Sequence, residues 1–144
     1  MGVGHVPPGP LRQAGEGRDV PRREHRGAGA DRLPLSRQRL ARFGEEVAAR
    51  FLQARGAVVE GRNVRVGRGE LDLVVRMHGR RVAVEVKTVG PARQGAPVDR
   101  FDPPKAATVR RLANRLRPPA TRVDFVGVRV CDGGVRVRWL PGVD

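Results

Sequence analysis

Gly69-Glu70-Leu71-Asp72-Leu73-Val74-Val75-Arg76-Met77-His78-Gly79-Arg80-Arg81-Val82-Ala83-Val84-Glu85-Val86-Lys87-Thr88 reads as two strand-forming runs around a tight turn. Leu71, Leu73 and Val75 alternate with other residues before His78-Gly79, and Val82, Val84 and Val86 alternate after it, the period-two pattern of a hairpin. With His78 and Gly79 as the loop, Met77 faces Arg80, and the same register sets Asp72 opposite Glu85 and Glu70 opposite Lys87. Side chains alternate between faces, so Glu70, Asp72, Glu85 and Lys87 are expected on one face and the Leu and Val set on the other.

Facing carboxylates repel, which raises a pKa or calls for a cation. Mg²⁺ uses one or two protein carboxylates together with water and substrate phosphate, and Asp72 with Glu85 supplies that number. Lys87 is expected beside such an ion. The alternative is a solvated sheet face, on which charges commonly alternate with Val. Two features favour a site: acid faces acid despite a surplus of Arg, and Lys87 and Lys105 are the only lysines among 29 basic residues. A compact ammonium differs chemically from a guanidinium and shifts its pKa more readily.

The strings Gly69-Glu70-Leu71-Asp72-Leu73-Val74 and Val84-Glu85-Val86-Lys87-Thr88 resemble the signature of the YraN-like family, which is uncharacterised. That family is similar to restriction endonucleases and Holliday-junction resolvases, whose acid plus Glu-x-Lys site holds Mg²⁺. The resemblance implies that Asp72 and Glu85 are metal ligands for Mg²⁺ or Mn²⁺ and that Lys87 orients or activates the attacking water. It also nominates Glu45, because a Gly-Glu step opens the family's first helix and Gly44-Glu45 matches it. Periodicity alone does not choose between Glu45 and Glu46. Asn63 matches an Arg-Asn step of the family, with no role assigned. Lys105 matches the Lys of a Pro-x-Lys helix start. Ala106 and Val89 depart from the Gln and Arg common at those places, which puts substrate contacts in doubt more than the metal site.

The 144 residues are read as one domain with a formal net charge of +14. That balance, with a pI near 11.8, suits a polyanion, nucleic acid ahead of lipid. With no Tyr, one Trp and four Phe, contact is expected mainly with backbone and shape, not through an aromatic stacking platform. Cys131 is the sole cysteine, which excludes an intramolecular disulfide and fits a reducing, cytoplasmic setting. No apolar run is long enough to span a membrane.

Residues 1–35 are rich in Gly, Pro and Arg without periodicity and are expected to be disordered. A nucleic-acid-binding tail and an overextended gene start are both open. Residues 36–144 form the ordered domain. A helix is expected from the Ser36 cap to about residue 55, stopped by Gly56, with Leu40, Phe43, Val47 and Phe51 buried. Short strand pieces follow at 57–60 and 63–66. Arg62, Arg65 and Arg68 lie just ahead of the acidic patch, placed to meet phosphates or simply to be solvated. Residues 88–102 form a long loop, suited to closing over substrate. Asp102 and Pro103 then start a second helix whose buried face is Val109, Leu112, Ala113 and Leu116, with Lys105 and Arg111 on its basic exterior as candidate nucleic-acid contacts. Two strands around Asp132-Gly133-Gly134 finish the chain, and Asp124 is expected to serve a local turn or to meet Arg122.

The order gives an α/β domain, a mixed sheet flanked by helices, the element order of restriction-endonuclease-like folds. The leading functional expectation is a metal-dependent nuclease acting on DNA, more readily than RNA, with branched DNA a candidate and a homodimer suited to cutting both strands. The runner-up is a non-catalytic nucleic-acid-binding protein that kept the fold. An adaptor for an anionic protein is a third class, unsupported by any long exposed apolar stripe.

Overall fold

The computed structural model describes residues 2–6, 36–93, 95–97 and 101–143. In chain order the elements are β1 (Gly2–Val6), α1 (Arg37–Gln53), β2 (Val58–Val66), β3 (Gly69–Met77), β4 (Arg80–Val89), α2 (Pro103–Arg115), β5 (Arg122–Cys131) and β6 (Gly134–Leu140). They form one six-stranded sheet in the order β1-β6-β5-β4-β3-β2. β4 and β5 are parallel, and every other neighbouring pair is antiparallel. This is the mixed sheet flanked by helices that the element order implies. No helix among the described residues is long and apolar enough to cross a membrane.

Each face of the sheet carries one helix. α1 packs Ala48, Ala49, Phe51 and Leu52 against Leu73, Val75, Val84, Val126 and Val128. α2 packs Val109, Leu112, Ala113 and Leu116 against Leu71, Val74, Ala83 and Val123. α2 therefore covers part of the hairpin's second face, at Leu71, Val74 and Ala83, while Glu70, Arg76 and Lys87 stay exposed. Leu71 is on the α2 side, away from Leu73 and Val75, so the strict alternation expected along β3 fails at Asp72. The sheet is irregular there: the β2–β3 register shifts between Val59 and Gly61, and Asn63 adopts a left-handed φ of 48°, a conformation Asn tolerates better than most residues.

α1 begins at Ser36, whose hydroxyl accepts the Arg39 N–H, and ends before Gly56 at φ 92°. Its buried stripe is rotated from the expected one. Phe43 is 44% exposed, whereas Gly44, Ala48 and Ala49 face the sheet. Small residues bring the helix axis closer to the strands than a Leu/Phe stripe would permit. At Gly44 the approach is closest, since a Cβ there would overlap the Thr88 hydroxyl of β4. Gly44→Ala is accordingly expected to lower unfolding free energy by about 1–3 kcal/mol, the usual penalty of overpacking. The check is a reduced urea midpoint with an unchanged m value.

The N-terminal disorder expected for residues 1–35 does not extend to Gly2–Val6. These residues pair antiparallel with β6, and Gly4 lies so close to Phe51 that a Cβ would sit 2.7 Å from the ring. A backbone ladder and one close approach order a segment with little apolar side chain of its own. Residues 7–35, where the rest of that expectation falls, lie outside the described residues.

Candidate functional site

The hairpin splits where its two acids stand. The β3–β4 ladder runs from Met77↔Arg80 to Leu73↔Val84 and ends there, one pair short of Asp72 and Glu85. β4 goes on to pair with β5 through Val89, while β3 stays with β2 through Gly69. Divergence strands the Val86 N–H, and the Asp72 Oδ2 accepts it at 2.8 Å. Asp72 and Glu85 are thus not a cross-strand backbone pair, as simple register implies. Their carboxyls meet in the wedge between the strands, close enough to hydrogen-bond.

Two carboxyls out of water and in contact hold protons more tightly. Burial, then the neighbouring Asp72 charge, pushes Glu85 up to about 7. Burial also raises Asp72, against the stabilising Val86 N–H. Glu85 is 9% exposed, and its Oε1 accepts an ion pair from Lys105 Nζ at 3.0 Å.

Gly44 places the next carboxylate. Where α1 touches Thr88, Glu45 turns toward the wedge. Burial and the Asp72 charge raise its carboxyl above the ordinary value, while a hydrogen bond with the Asn63 side chain pulls it down. Glu46 belongs elsewhere: Arg50 and Arg62 pair with it and hold its carboxyl low. Of the two acids that periodicity leaves open, Glu45 is the one that lies near Asp72.

A cleft of about 500 Å³ opens in front of Glu85, lined by Lys87, Phe101, Asp102, Pro104, Lys105, Thr108 and Phe125. The β4–α2–β5 crossover joins parallel strands, so α2 runs back along the sheet and begins at the C-terminal end of β4. Its first turn is fixed by Asp102, whose Oδ1 accepts the Lys105 N–H at 3.0 Å, and that turn forms one wall of the cleft.

The profile of the Uncharacterised protein family UPF0102 matches residues 44–128, from the Gly44 contact through the hairpin and α2 into β5. This chain belongs to that family. It is the YraN-like family that the hairpin motif resembles. UPF0102 relatives include a protein of Leifsonia xyli subsp. xyli, 41% identical over 111 residues, 72% of this chain and 94% of that one. Another, from Parafrankia sp., is 47% identical over 112 residues, 73% of this chain and 95% of that one. Among solved structures, Pyrococcus furiosus SfsA in complex with Ca²⁺ is similar at a TM-score of 0.38 and 13% identity, over 69% of this chain and 63% of that chain.

Of the residues nominated in this UPF0102 chain, Asp72 and Glu85 come together, Glu45 lies near Asp72, and Lys87 joins Glu85 at the cleft. Lys87 is exposed and, among the described residues, makes no ion pair. The ammonium on Glu85 is that of Lys105, which the sequence places only on a basic exterior. Arg62 is bound to Glu46, and Arg65 lies 3.7 Å from Glu70. Arg68 and Arg111 are exposed on the surface. The loop after Thr88 does not stand free where it is described. Arg129 donates to the Arg93 and Gly95 carbonyls, and Pro97 packs on Gly127. Asp124 is structural: Arg122 donates to both its oxygens at 2.8 Å, and Trp139 Nε1 and the Gly142 N–H also donate to it.

Sequence reasoning missed the placement of Lys105 and the role of Asn63. A parallel crossover signals the first, because it returns the start of α2 to the end of the strand carrying Glu85. Nothing local signals the second, which depends on the left-handed turn in β2.

Whether a divalent ion fits is decided by the donors. Among the described residues, no group of three or more His, Cys, Asp and Glu side chains is arranged to hold one. Asp72 and Glu85 offer two carboxylates, sufficient for Mg²⁺ or Mn²⁺ when water and substrate phosphate complete the coordination. In number and type the two carboxylates fit an open, substrate-completed ion, with Lys105 as a competing cation on Glu85.

Proposed function

We propose that this protein is a metal-dependent phosphodiesterase acting on nucleic acid, with DNA the intended substrate. The observation that carries the reading is the buried Asp72–Glu85 pair behind a cleft that also presents Lys87. Mg²⁺ or Mn²⁺, when bound, would polarise the scissile phosphoryl group and offset the charge that builds on it. Asp72, fixed by the Val86 N–H, and Glu85 supply the carboxylates. Lys87 is free to orient a water and to lie beside the phosphoryl oxygens, where a positive charge is worth more than in bulk solvent. Glu45, near Asp72 and held by Asn63, adds a third acid at the edge of the pair. The surplus of Arg draws the polyanion to the surface. The resemblance to junction-resolving nucleases makes branched DNA the first substrate to try, and a homodimer the assembly suited to it.

The test is a panel of labelled single-stranded, duplex and four-way-junction DNAs, with matching RNAs, in Mg²⁺ and in Mn²⁺. Cleavage is expected from the wild type and not from Asp72→Ala or Lys87→Ala, at a loss of 10²-fold or more of the order seen when an electrostatic catalytic group is removed. Binding by Lys87→Ala is expected to stay within a few-fold. Equal cleavage by wild type and variants would assign the activity to a contaminant.

A second reading is favoured by one contact. Lys105 already occupies Glu85, so the site is neutralised without metal, and the basic surface alone can serve a non-catalytic nucleic-acid-binding protein. Affinity then falls steeply with salt and ignores chelators.

A further inference from the structure

We infer that Lys105 is a displaceable counter-cation of the acidic pair, which couples metal binding to nucleic-acid binding. This rests on the metal-site reading above and goes beyond it. Lys105 Nζ sits 3.0 Å from Glu85 Oε1. A divalent ion coordinates carboxylate oxygen at about 2.0–2.1 Å. An ammonium and a metal ion therefore compete for the same carboxylate of the Asp72–Glu85 pair.

The side chain is built to leave. Glu85 is fixed in a strand, with its side chain 12% exposed, whereas that of Lys105 is 48% exposed. Lys105 stands in the first turn of α2, its backbone held through Asp102, and among the described residues Glu85 is the ion-pair partner of its side chain. The cleft ahead of it is shared with Lys87 and Thr108, so an ammonium swung away from Glu85 enters the space a phosphodiester would occupy. Nucleic acid thus offers Lys105 a new anion and frees Glu85, while metal evicts Lys105 toward that anion. Each ligand favours the other, and by linkage the effect is reciprocal. Lys87, which makes no ion pair among the described residues, has nothing to release in this exchange.

Mn²⁺ affinity, measured by calorimetry, separates the outcomes without any need for turnover. Lys105→Met is expected to bind Mn²⁺ about tenfold more tightly than the wild type in the absence of DNA, a coupling of ordinary size. Lys105→Arg keeps the charge and is expected to stay close to the wild type. A labelled single-stranded DNA 12-mer, followed by anisotropy in the Lys87→Ala background so that the probe is not consumed, is expected to bind more tightly when Mn²⁺ is present. Adding Lys105→Met should remove most of that gain. Equal Mn²⁺ affinity of wild type and Lys105→Met, or an unchanged gain in the double variant, overturns the inference and leaves the metal site standing. No Mn²⁺ binding by either protein overturns the metal site as well.

Discussion

Asp72→Asn is expected to melt about 5 °C above the wild type at pH 8 without divalent ions, and the gap is expected to shrink as the pH falls toward 5. The cause is the repulsion between Asp72 and Glu85, which a proton on Glu85 relieves at lower pH. Glu85 is pushed up to about 7 in the folded chain, from an ordinary 4.5, by burial and by Asp72. Between those values the folded state holds a proton that the unfolded state has released, so stability falls as pH rises through the window. The pair's stabilising contribution is full below about pH 4.5 and lost above about pH 7. An Asn at this position still accepts the Val86 N–H through its amide oxygen and offers Glu85 an N–H, removing the like charge. Burial of Glu85, the larger cause of its raised pKa, remains in the variant, so only the part due to the Asp72 charge is relieved, on the order of 1 kcal/mol at pH 8. Millimolar Mn²⁺ should raise the wild-type melting temperature and leave Asp72→Asn where it was. A variant that melts lower than the wild type at every pH would show that the two carboxyls do not oppose one another.

Asp124→Ala is expected to cost about 3–5 kcal/mol, the size seen when one partner of a buried ion pair is removed. Asp124 is 1% exposed and accepts from Arg122, Trp139 and Gly142. Truncation leaves the Arg122 guanidinium, an indole N–H and a backbone N–H short of an acceptor at once, at the point where the chain leaves β6. Denaturant unfolding gives the figure directly. Asp124→Asn, which keeps an acceptor, should lose less. A loss below about 1 kcal/mol for Asp124→Ala would put the residue among ordinary surface acids.

Much of this architecture is legible from residue pattern. Period-two alternation around His78-Gly79 places the hairpin, and Met77 does face Arg80. Ser36 and Asp102 mark both helix starts, because each side chain satisfies an N–H that the helix leaves free. What is not legible depends on contacts between distant segments. α1 buries Gly44 and leaves Phe43 out because the helix must pass close over Thr88, a partner that helical periodicity does not contain. β1 is held by backbone pairing to β6 and by Gly4 against Phe51, and neither leaves a hydrophobic signature in Gly2-Val3-Gly4. The site shows the same division. Register brings Asp72 near Glu85, yet the wedge that makes them meet arises only because β4 turns to join β5. Glu45 and Glu46 are told apart by their distant partners, Asp72 and Asn63 for the first and Arg62 for the second, and Lys105 is brought to Glu85 by the crossover.

Calorimetric titration of Mn²⁺ into the wild type and Asp72→Asn at pH 7, each in two buffers of different ionisation enthalpy, addresses the acidic pair directly. Because the pair holds a proton near this pH, metal entry should expel it. The expected result is saturable binding by the wild type, with a heat that changes with the buffer, and no saturable binding by Asp72→Asn. Mn²⁺ binding of equal affinity in both proteins, with a heat independent of buffer, would contradict the assignment of Asp72 and Glu85 as the metal-holding pair.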